Sequence, residues 1–406
     1  MSLGGAEDAA ALMEGWAASQ ACLPGVPLFF LEQPFVTAAG TEAALDTAFI
    51  DALVTAARHI ENTAAARALA WHVYRRLRHD ALTEDWPGRR WPLPEALLGR
   101  HAGLLYTLAL LGGLPNLRAF YTAHAVPEGV ARATLRDVQR HARDFLRRHG
   151  VWGLAPRDLS WLRLHLSGGI FELGRLQFQP TAWWRPARAY RRIEGGTVVA
   201  LSEGGVRYRA DGQRDGAGGL HDAQGAWTAR LELGSEWVVG HRIRPTGQAE
   251  REEMRLSRAA WELVLGRGDA VLDLHIPGGA PLDLEACRAS LKEALRFFPT
   301  CFPERPIVAF ACGSWLLDAQ LEDLLPPSSN LVRFLRQMYL VPVAGDGSGA
   351  FEYVFGAAPT DLRQAPRDTT LRRALLDHLL GGGHLRGGSC FLLPEDLPRW
   401  GADTYR

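Results

Sequence analysis

The sequence has 406 residues, of which 47% are hydrophobic, and its 45 basic and 45 acidic side chains give a formal net charge of zero. This composition is typical of a globular protein of two or three domains, and the lack of a basic excess argues against a general binder of nucleic acids or anionic membranes. Lys292 is the only lysine, which excludes a G-x-x-x-x-G-K-[ST] phosphate loop.

The five cysteines are scattered singly, without a C-x-x-C pair. Such spacing offers no zinc site and indicates a reducing compartment. The first thirty residues also lack the basic and apolar regions of a secretory signal. We therefore expect a cytoplasmic protein that needs no metal and is not embedded in a membrane. The most apolar run, Leu104 to Leu111, is too short to span a bilayer and predicts a buried helix.

The chain from Glu42 to about Gly150 has helical periodicity, interrupted by prolines. Its last predicted helix, after Pro127, carries a row of arginines from Arg132 to Arg148. A charge run of this kind predicts a solvated helix face, and a site for an anion is the less favoured alternative.

Beyond Trp161 the periodicity changes from helical to alternating, which is typical of strands. One strand is predicted from Ile170 to Gln179. The other elements predicted beyond it are hairpins at 197–201 with 206–209 and at 227–233 with 237–243, helices at 256–265 and 369–380, and strands at 351–355 and 390–393. The fold class is therefore α+β, with an all-helical domain at 1–153 and a mixed α/β domain at 154–406 whose sheet passes from antiparallel to parallel.

The segment from Asp269 to Val343 predicts strand, loop, helix, strand, turn, helix and strand without a break. Its first two strands are Ala270 to Ile276 and Ile307 to Cys312, with a helix between them whose apolar residues recur every three or four positions. A crossover of this kind makes the strands parallel, and ligands usually bind at the carboxyl ends of parallel strands. We expect a ligand cleft there.

This order of elements resembles the coenzyme-A-binding half of the GNAT (GCN5-related N-acetyltransferase) fold. The sequence motifs HIPGGAPL, FFP-x-x-FPERP and CGSWLLD are similar to motifs of the GNAT-like C-terminal domain of bacterial acyltransferase-domain proteins. In those proteins a helical domain precedes the GNAT-like domain. The resemblance covers about residues 160 to 400. One departure is that Pro277 to Pro281 replace the usual Arg or Gln followed by x-x-Gly-x-Gly or Ala, and Glu285 puts a negative charge in the first helical turn.

The resemblance implies acyl transfer from a coenzyme A thioester to an amine, which needs a proton acceptor. His275 is the first candidate base, because it ends its strand on the same face as Asp273 and histidine titrates near neutrality. Glu172, in the alternating strand, is the second. The structural alternatives are a hydrogen bond that orders the loop for His275, and an ion pair with an arginine for Glu172.

The resemblance implies that the coenzyme binds at the loop after the first strand, which consists of Ile276, Pro277, Gly278 and Gly279. Glycine in such a loop lets a ligand approach the backbone closely. Cys312 and Gly313, which end the second strand, belong to the same expected coenzyme site, and Ser314 could protonate the departing thiolate. The alternatives are a simple turn for the loop and a small buried hydrophobic residue for Cys312.

The sequence thus leads to two functional hypotheses. The first is an acyltransferase that uses acyl-coenzyme A as co-substrate and a small-molecule or peptide amine as acceptor, by direct transfer. The second is a GNAT-like binding module that has lost catalysis and recruits a protein or small molecule, and the missing pyrophosphate signature favours it. A serine hydrolase is disfavoured, because no G-x-S-x-G elbow is present.

Overall fold

The computed structural model describes residues 6–79, 90–356 and 358–406. They form two compact units, Met1–Leu173 and Gly174–Arg406. The domain boundary predicted after residue 153 stays a prediction. The compact units divide after Leu173. The α+β class is confirmed: a helical region is followed by a mixed-sheet region.

Within residues 6–79 and 90–173, the regular elements of the first unit are helices except for one short strand at its end. Its elements are α1 (Ala6–Met13), α2 (Trp16–Ala21), α3 (Gln33–Glu42), α4 (Thr47–Glu61), α5 (Ala64–His79), α6 (Glu95–Leu98), α7 (Ala102–Leu111), α8 (Leu114–Ala123), α9 (Glu128–His149), α10 (Leu159–Leu166) and β1 (Phe171–Leu173).

Helix α7 lies at the centre of the first unit, and all ten of its residues are buried. The buried helix predicted from Leu104 to Leu111 is therefore confirmed. The wider stretch Glu95–Ala123 is long and apolar enough to cross a membrane, but 78% of its most apolar window is buried within the described structure. A core helix is expected to show this combination.

The arginine row on α9 is paired with carboxylates at four positions. Arg132 pairs with Glu128, Arg143 with Asp46, and Arg147 with Asp144. Arg140 reaches the carboxylates of Asp137 and Glu172. The row is therefore chiefly a face of ion pairs, in agreement with the favoured interpretation of the charge run.

The second unit contains two main sheets. Its strands are β2 (Leu176–Ala182), β3 (Ala187–Arg192), β4 (Val198–Ser202), β5 (Arg207–Tyr208), β6 (Trp227–Thr228), β7 (Leu231–Leu233), β8 (Trp237–Ile243), β9 (Ala249–Ser257), β10 (Trp261–Leu265), β11 (Ala270–His275), β12 (Ala309–Ser314), β13 (Tyr339–Pro342) and β14 (Gly388–Leu392). Its helices are α11 (Leu284–Cys301), α12 (Leu321–Leu324), α13 (Asn330–Leu335), α14 (Ser348–Ala350) and α15 (Thr370–Leu380), with a π-helix at Phe351–Phe355.

The first sheet of this unit has the order β2-β11-β12-β14-β13, and the second has β10-β3-β4-β8-β7 with β9 beside β8. In the first sheet only β11 and β12 are parallel, and the other pairs are antiparallel. The parallel pair with its α11 crossover is the one that the sequence predicts. A shared apolar core, which includes Trp183, Ile243, Tyr339 and Phe391, joins one face of each sheet.

Several predicted elements of this unit were wrong. Residues 256–265 are the end of β9, a turn and β10, because pairing with β8 and β3 decides their conformation over local propensity. Residues 351–355 form a π-helix in place of a strand. The strand predicted from Ile170 to Gln179 is broken at Gly174, whose φ of 65° is left-handed.

The two predicted hairpins are also only partly present. β5 pairs with β6, and β4 pairs with β3 and β8, so residues 197–201 and 206–209 are not partners. β7 and β8 do form a hairpin, as predicted from the second pair. Short strands of similar composition leave their pairing undetermined, since the register depends on partners that are distant in sequence.

Candidate active site

The central feature of the site is the point at which β11 and β12 separate. Their ladder runs from Val271 with Ala309 to Asp273 with Ala311. Both strands continue beyond it, β11 along β2 to His275 and β12 along β14 to Ser314. Each strand thus keeps its outer partner while the inner pairing stops. The carboxyl ends of the parallel pair therefore border a gap, which is where ligands bind in sheets of this kind.

One face of the sheet at this gap is filled with apolar side chains. Leu274 and Cys312, the residues next to the gap on this face, are each 2% exposed. Phe178 packs there against Phe298 of α11 and against Phe310. This face is closed by the packing of α11.

The opposite face carries polar residues. Alternation along the strands places Asp273 and His275 on this face, together with the exposed Gly313 of β12. Asp273 and His275 are both half-buried. A group bound in the gap would therefore meet His275 and Asp273 on its accessible side.

His275 and Asp273 have different partners. The Nε2 atom of His275 lies 3.2 Å from Oε1 of Gln179 on the neighbouring strand β2. An amide oxygen only accepts, so in this contact the ring donates from Nε2. The carboxylate of Asp273 accepts from Nη2 of Arg185 at 2.7 Å. The pairing of His275 with Gln179 was not predicted from the sequence.

Arg185 is the centre of a small network at the gap. Its Nε donates to Oγ of Ser389 at 3.0 Å, and that hydroxyl donates to the carbonyl of Cys312 at 2.8 Å. Its guanidinium also lies 5.5 Å from the ring of Trp183. Nothing in the sequence around Trp183-Trp184-Arg185 indicates a site, because the network depends on three strands that only the fold brings together.

The loop after β11 has room for a ligand. A Cβ atom on Gly278 or Gly279 would meet no atom within 4 Å, and Gly279 has a φ of 91°. Arg175 donates from Nε to the carbonyl of Pro281 and from Nη2 to that of Ala280, both at 2.8 Å. This arginine, which was not predicted as a site residue, brings a positive charge to the loop in which the usual pyrophosphate signature is missing.

The amino end of α11 is less favourable for a phosphate. Asp283 caps the helix, and its side chain accepts from the amide of Ala286 at 2.8 Å. Glu285 follows in the first turn. A carboxylate thus already uses one of the amides that a phosphate would otherwise bind.

Two further predicted residues have structural contacts in this unit. Oγ of Ser314 accepts from the amide of Leu316 at 3.2 Å and so caps the short helix Trp315–Leu317. Cys312 is buried, and burial raises the pKa of its thiol well above the usual value, with the neighbouring Cys390 adding to the effect. A thiol with a raised pKa is a poor nucleophile, which supports the interpretation of Cys312 as a small hydrophobic residue.

Glu172 belongs to the first unit, where it is buried in a bidentate ion pair. Its two carboxylate oxygens accept from Nη1 and Nη2 of Arg140 at 2.6 and 2.7 Å. Its backbone amide donates to Thr134 at 2.9 Å. These contacts match the structural alternative stated for Glu172, and its role as a base stays a prediction.

Two family models match the chain. The model described as N-acyltransferase N-terminal domain matches residues 37–168, and the one described as GNAT-like C-terminal domain matches residues 170–392. The chain belongs to the GNAT-like N-acyltransferase family. The resemblance found in the sequence is thereby confirmed. No curated protein matches the sequence.

The family's fold is also found in solved structures of acyltransferases. A mutant acyltransferase in complex with octanoyl-CoA aligns with a TM-score of 0.64 and 22% identity over 97% of each chain. An acyltransferase in complex with decanoyl-CoA and teicoplanin aligns with a TM-score of 0.63 and 21% identity over 95% of this chain and 98% of that one. At this level of identity, the alignments establish the fold.

Proposed function

We propose that the chain is a coenzyme-A-dependent N-acyltransferase that moves an acyl group directly from a thioester to an amine. The observation that carries this proposal is the separation of β11 and β12 beyond Asp273 and Ala311 while both strands keep their outer partners. An extended ligand can use the strand edges that line such a gap. The solved acyltransferases with octanoyl-CoA, decanoyl-CoA and a glycopeptide support a thioester donor and a small-molecule acceptor.

The residues at the gap fit a coenzyme. The open loop at Gly278 and Gly279, with Ile276 and Pro277 before them, leaves space for the pyrophosphate. Arg175 at the carbonyls of Ala280 and Pro281 supplies a positive charge close to that loop. A guanidinium binds phosphate oxygens well, so Arg175 can compensate in part for the missing signature residue.

In the proposed reaction His275 accepts a proton. The amine nitrogen attacks the thioester carbonyl carbon, the carbon–sulfur bond breaks, and the proton lost by the nitrogen goes to the imidazole of His275. The hydrogen bond to Gln179 orients the ring at the edge of the gap. Ser314, on the other side of the gap, is proposed to relay a proton to the thiolate and to take one back from solvent at the same time, so that its hydroxyl is restored, while His275 later gives the proton it accepted to solvent. An acyl-enzyme on Cys312 is disfavoured by its burial and raised pKa.

The non-catalytic binding module is the second candidate. The observation that favours it is the cap of α11 by Asp283, with Glu285 in the first turn, at the helix end where a phosphate is usually bound. In this case the gap would exist without affinity for coenzyme A.

The two candidates are distinguished by thermal unfolding in the presence of coenzyme A. A ligand of the native state raises the melting temperature with the logarithm of its concentration. We expect such a rise with coenzyme A and acetyl-CoA, and expect Gly278→Val to weaken it, since valine would fill the open loop. Gly25→Val, at another glycine with no atom within 4 Å of an added Cβ, is the matched control.

If the melting temperature does not rise at millimolar coenzyme A or acetyl-CoA, the acyltransferase hypothesis is refuted and the binding-module hypothesis is favoured. If the rise is observed, thiol release from acetyl-CoA across a panel of primary amines identifies the acceptor. If coenzyme A binds but no amine in the panel leads to thiol release, the coenzyme site would be supported and catalysis would not.

A further inference from the structure

The charged pair Arg185–Asp273 lies on the accessible face of the gap described above. The two side chains are 16% and 20% exposed, so water reaches them only in part. The Nη2 atom of Arg185 lies 3.4 Å from the position that a Cβ of Gly313 would take. The guanidinium is therefore placed over the end of β12, where that strand has separated from β11.

Arg185 is fixed in this position by several contacts. It is held by Asp273 at 2.7 Å, by Ser389 at 3.0 Å and by the ring of Trp183. Ser389 in turn is fixed by its hydrogen bond to the carbonyl of Cys312. Moving the guanidinium aside would break two charge-assisted or polar hydrogen bonds and leave Asp273 without this counterion.

An acyl group bound in the gap can extend toward only one face of the sheet. The α11 face is filled by Leu274, Cys312 and the phenylalanines behind them. A thioester in the gap would thus direct its acyl carbons to the face of His275 and Gly313. The first atoms beyond Gly313 on this face are those of Arg185.

We propose that the Arg185–Asp273 pair limits the acyl donor to short chains such as acetyl or propionyl, an inference that rests on the proposed function. A short acyl group ends before the guanidinium. A chain of eight or ten carbons would press methylene groups against the ion pair and displace its remaining water without giving hydrogen bonds in return, which is unfavourable. Octanoyl-CoA and decanoyl-CoA, which are bound in solved acyltransferases of this fold, would then be poor ligands of this chain.

The test measures dissociation constants of the full chain for coenzyme A, acetyl-CoA, octanoyl-CoA and decanoyl-CoA by calorimetry, below the micelle concentration of the long thioesters. No acceptor is needed. We expect acetyl-CoA to bind at least about tenfold more tightly than decanoyl-CoA, which corresponds to the discrimination that a pocket typically makes between chains.

The double variant Arg185→Met with Asp273→Leu removes both charges and keeps side chains of similar length. We expect it to bind decanoyl-CoA at least about tenfold more tightly than the wild type does, with little change for coenzyme A. The matched control is Arg188→Met with Glu203→Leu, an ion pair of 2.8 Å with 22% and 21% exposure in the second sheet. It should leave the order of affinities unchanged.

Equal or tighter binding of decanoyl-CoA by the wild type would overturn the inference even if the double variant failed to fold. Selectivity for acetyl-CoA that survives in a folded double variant would also overturn it, because other residues would then be responsible. Binding of coenzyme A without any chain-length preference refutes this inference alone. A lack of binding by every thioester and by coenzyme A refutes the proposed function with it.

Discussion

Asp137 in the first unit and Asp273 in the second are both carboxylates paired with arginine, yet their surroundings differ. The Asp137 side chain is 6% exposed and lies 2.9 Å from Nη1 of Arg140 and 3.1 Å from Nε2 of His165. Nε1 of Trp161 also donates to it at 2.7 Å. Asp273 has 20% exposure, and the ion pair with Arg185 is its main contact.

The difference separates a structural cluster from a site. Burial raises the pKa of Asp137, but the close approach of His165, together with His141 and the hydrogen bond from Arg140, outweighs it and holds the pKa well below its usual range. A carboxylate satisfied on all sides stabilises its helices and has little capacity left for a ligand. Asp273, half-buried beside a gap between two strands, can still meet one. Titratable residues alone would have suggested both as sites.

The largest expected effect concerns the two candidate bases. His275→Gln should lower turnover by about 10²- to 10⁴-fold, since a general base is lost, while the melting temperature changes little. Glu172→Gln should lower the melting temperature and leave turnover nearly unchanged, because it removes a charge from the buried pair with Arg140. The measurement is thiol release from acetyl-CoA with the amine found in the panel, alongside thermal unfolding. Normal turnover in His275→Gln would show that water or the substrate handles the proton.

The second prediction tests the structural cluster. Asp137→Ala should destabilise the first unit by about 3 to 5 kcal/mol, because it leaves Arg140 without this counterion and removes the carboxylate that lies against the buried His165. Hydrogen exchange followed by mass spectrometry reports the stability of each unit separately.

The matched control for Asp137 is Asp144→Ala, whose carboxylate is 49% exposed beside Arg147 on the same helix. It should cost less than about 1 kcal/mol. Similar losses of stability in the two variants would contradict the assignment of Asp137 to a cluster that stabilises the first unit.

The third prediction concerns Asp273 itself. Asp273→Ala should destabilise the second unit by about 1 to 2 kcal/mol, between the values for exposed and buried pairs, since water can partly solvate the Arg185 that remains. Exchange in peptides from β11 and β14 is the measurement. A loss as large as that for Asp137→Ala would mean that Asp273 is also structural, and would weaken the comparison.

The sequence was sufficient for the parts of the fold that local pattern determines. The helices described between Glu42 and Gly150 and the β11-α11-β12 crossover follow from periodicity. The pairing of β3, β4, β5 and β9 was missed or wrong, since short strands reveal no register. For the proposed site, His275 and the glycine loop were selected as candidates from their place at a strand end, and their roles stay predictions.

Arg175, Arg185, Gln179 and Ser389 could not be found in the same way. Arg185 is 88 residues from Asp273 and 204 from Ser389 in the chain. The alternating strand that contains Gln179 gave no reason to single out that residue. Contacts of this range depend on the order of strands in the sheet, which the sequence did not determine.

The smallest effect is a pH dependence in the first unit. His141 lies 3.5 Å from Asp158 through Nδ1 and 3.7 Å from Asp137 through Nε2. Burial lowers its pKa, but the hydrogen bond and charge of Asp158, with Asp137 and Asp144, outweigh this and raise the pKa above the usual value. A raised pKa in the folded state means stability that is present in acid and is lost as the pH rises through the folded pKa.

His141→Gln should therefore remove a decline in first-unit stability between about pH 6 and pH 8, worth a few tenths to about 1 kcal/mol, the range of partly exposed ion pairs. Asp137 does not titrate in this window, because its pKa is lowered and its contribution is lost only in strong acid. Hydrogen exchange in α9 peptides at matched intrinsic rates measures the difference. If wild type and variant show the same pH dependence, His141 is not charged by its neighbours, and the network around Asp137 is held by Arg140, His165 and Trp161 without it.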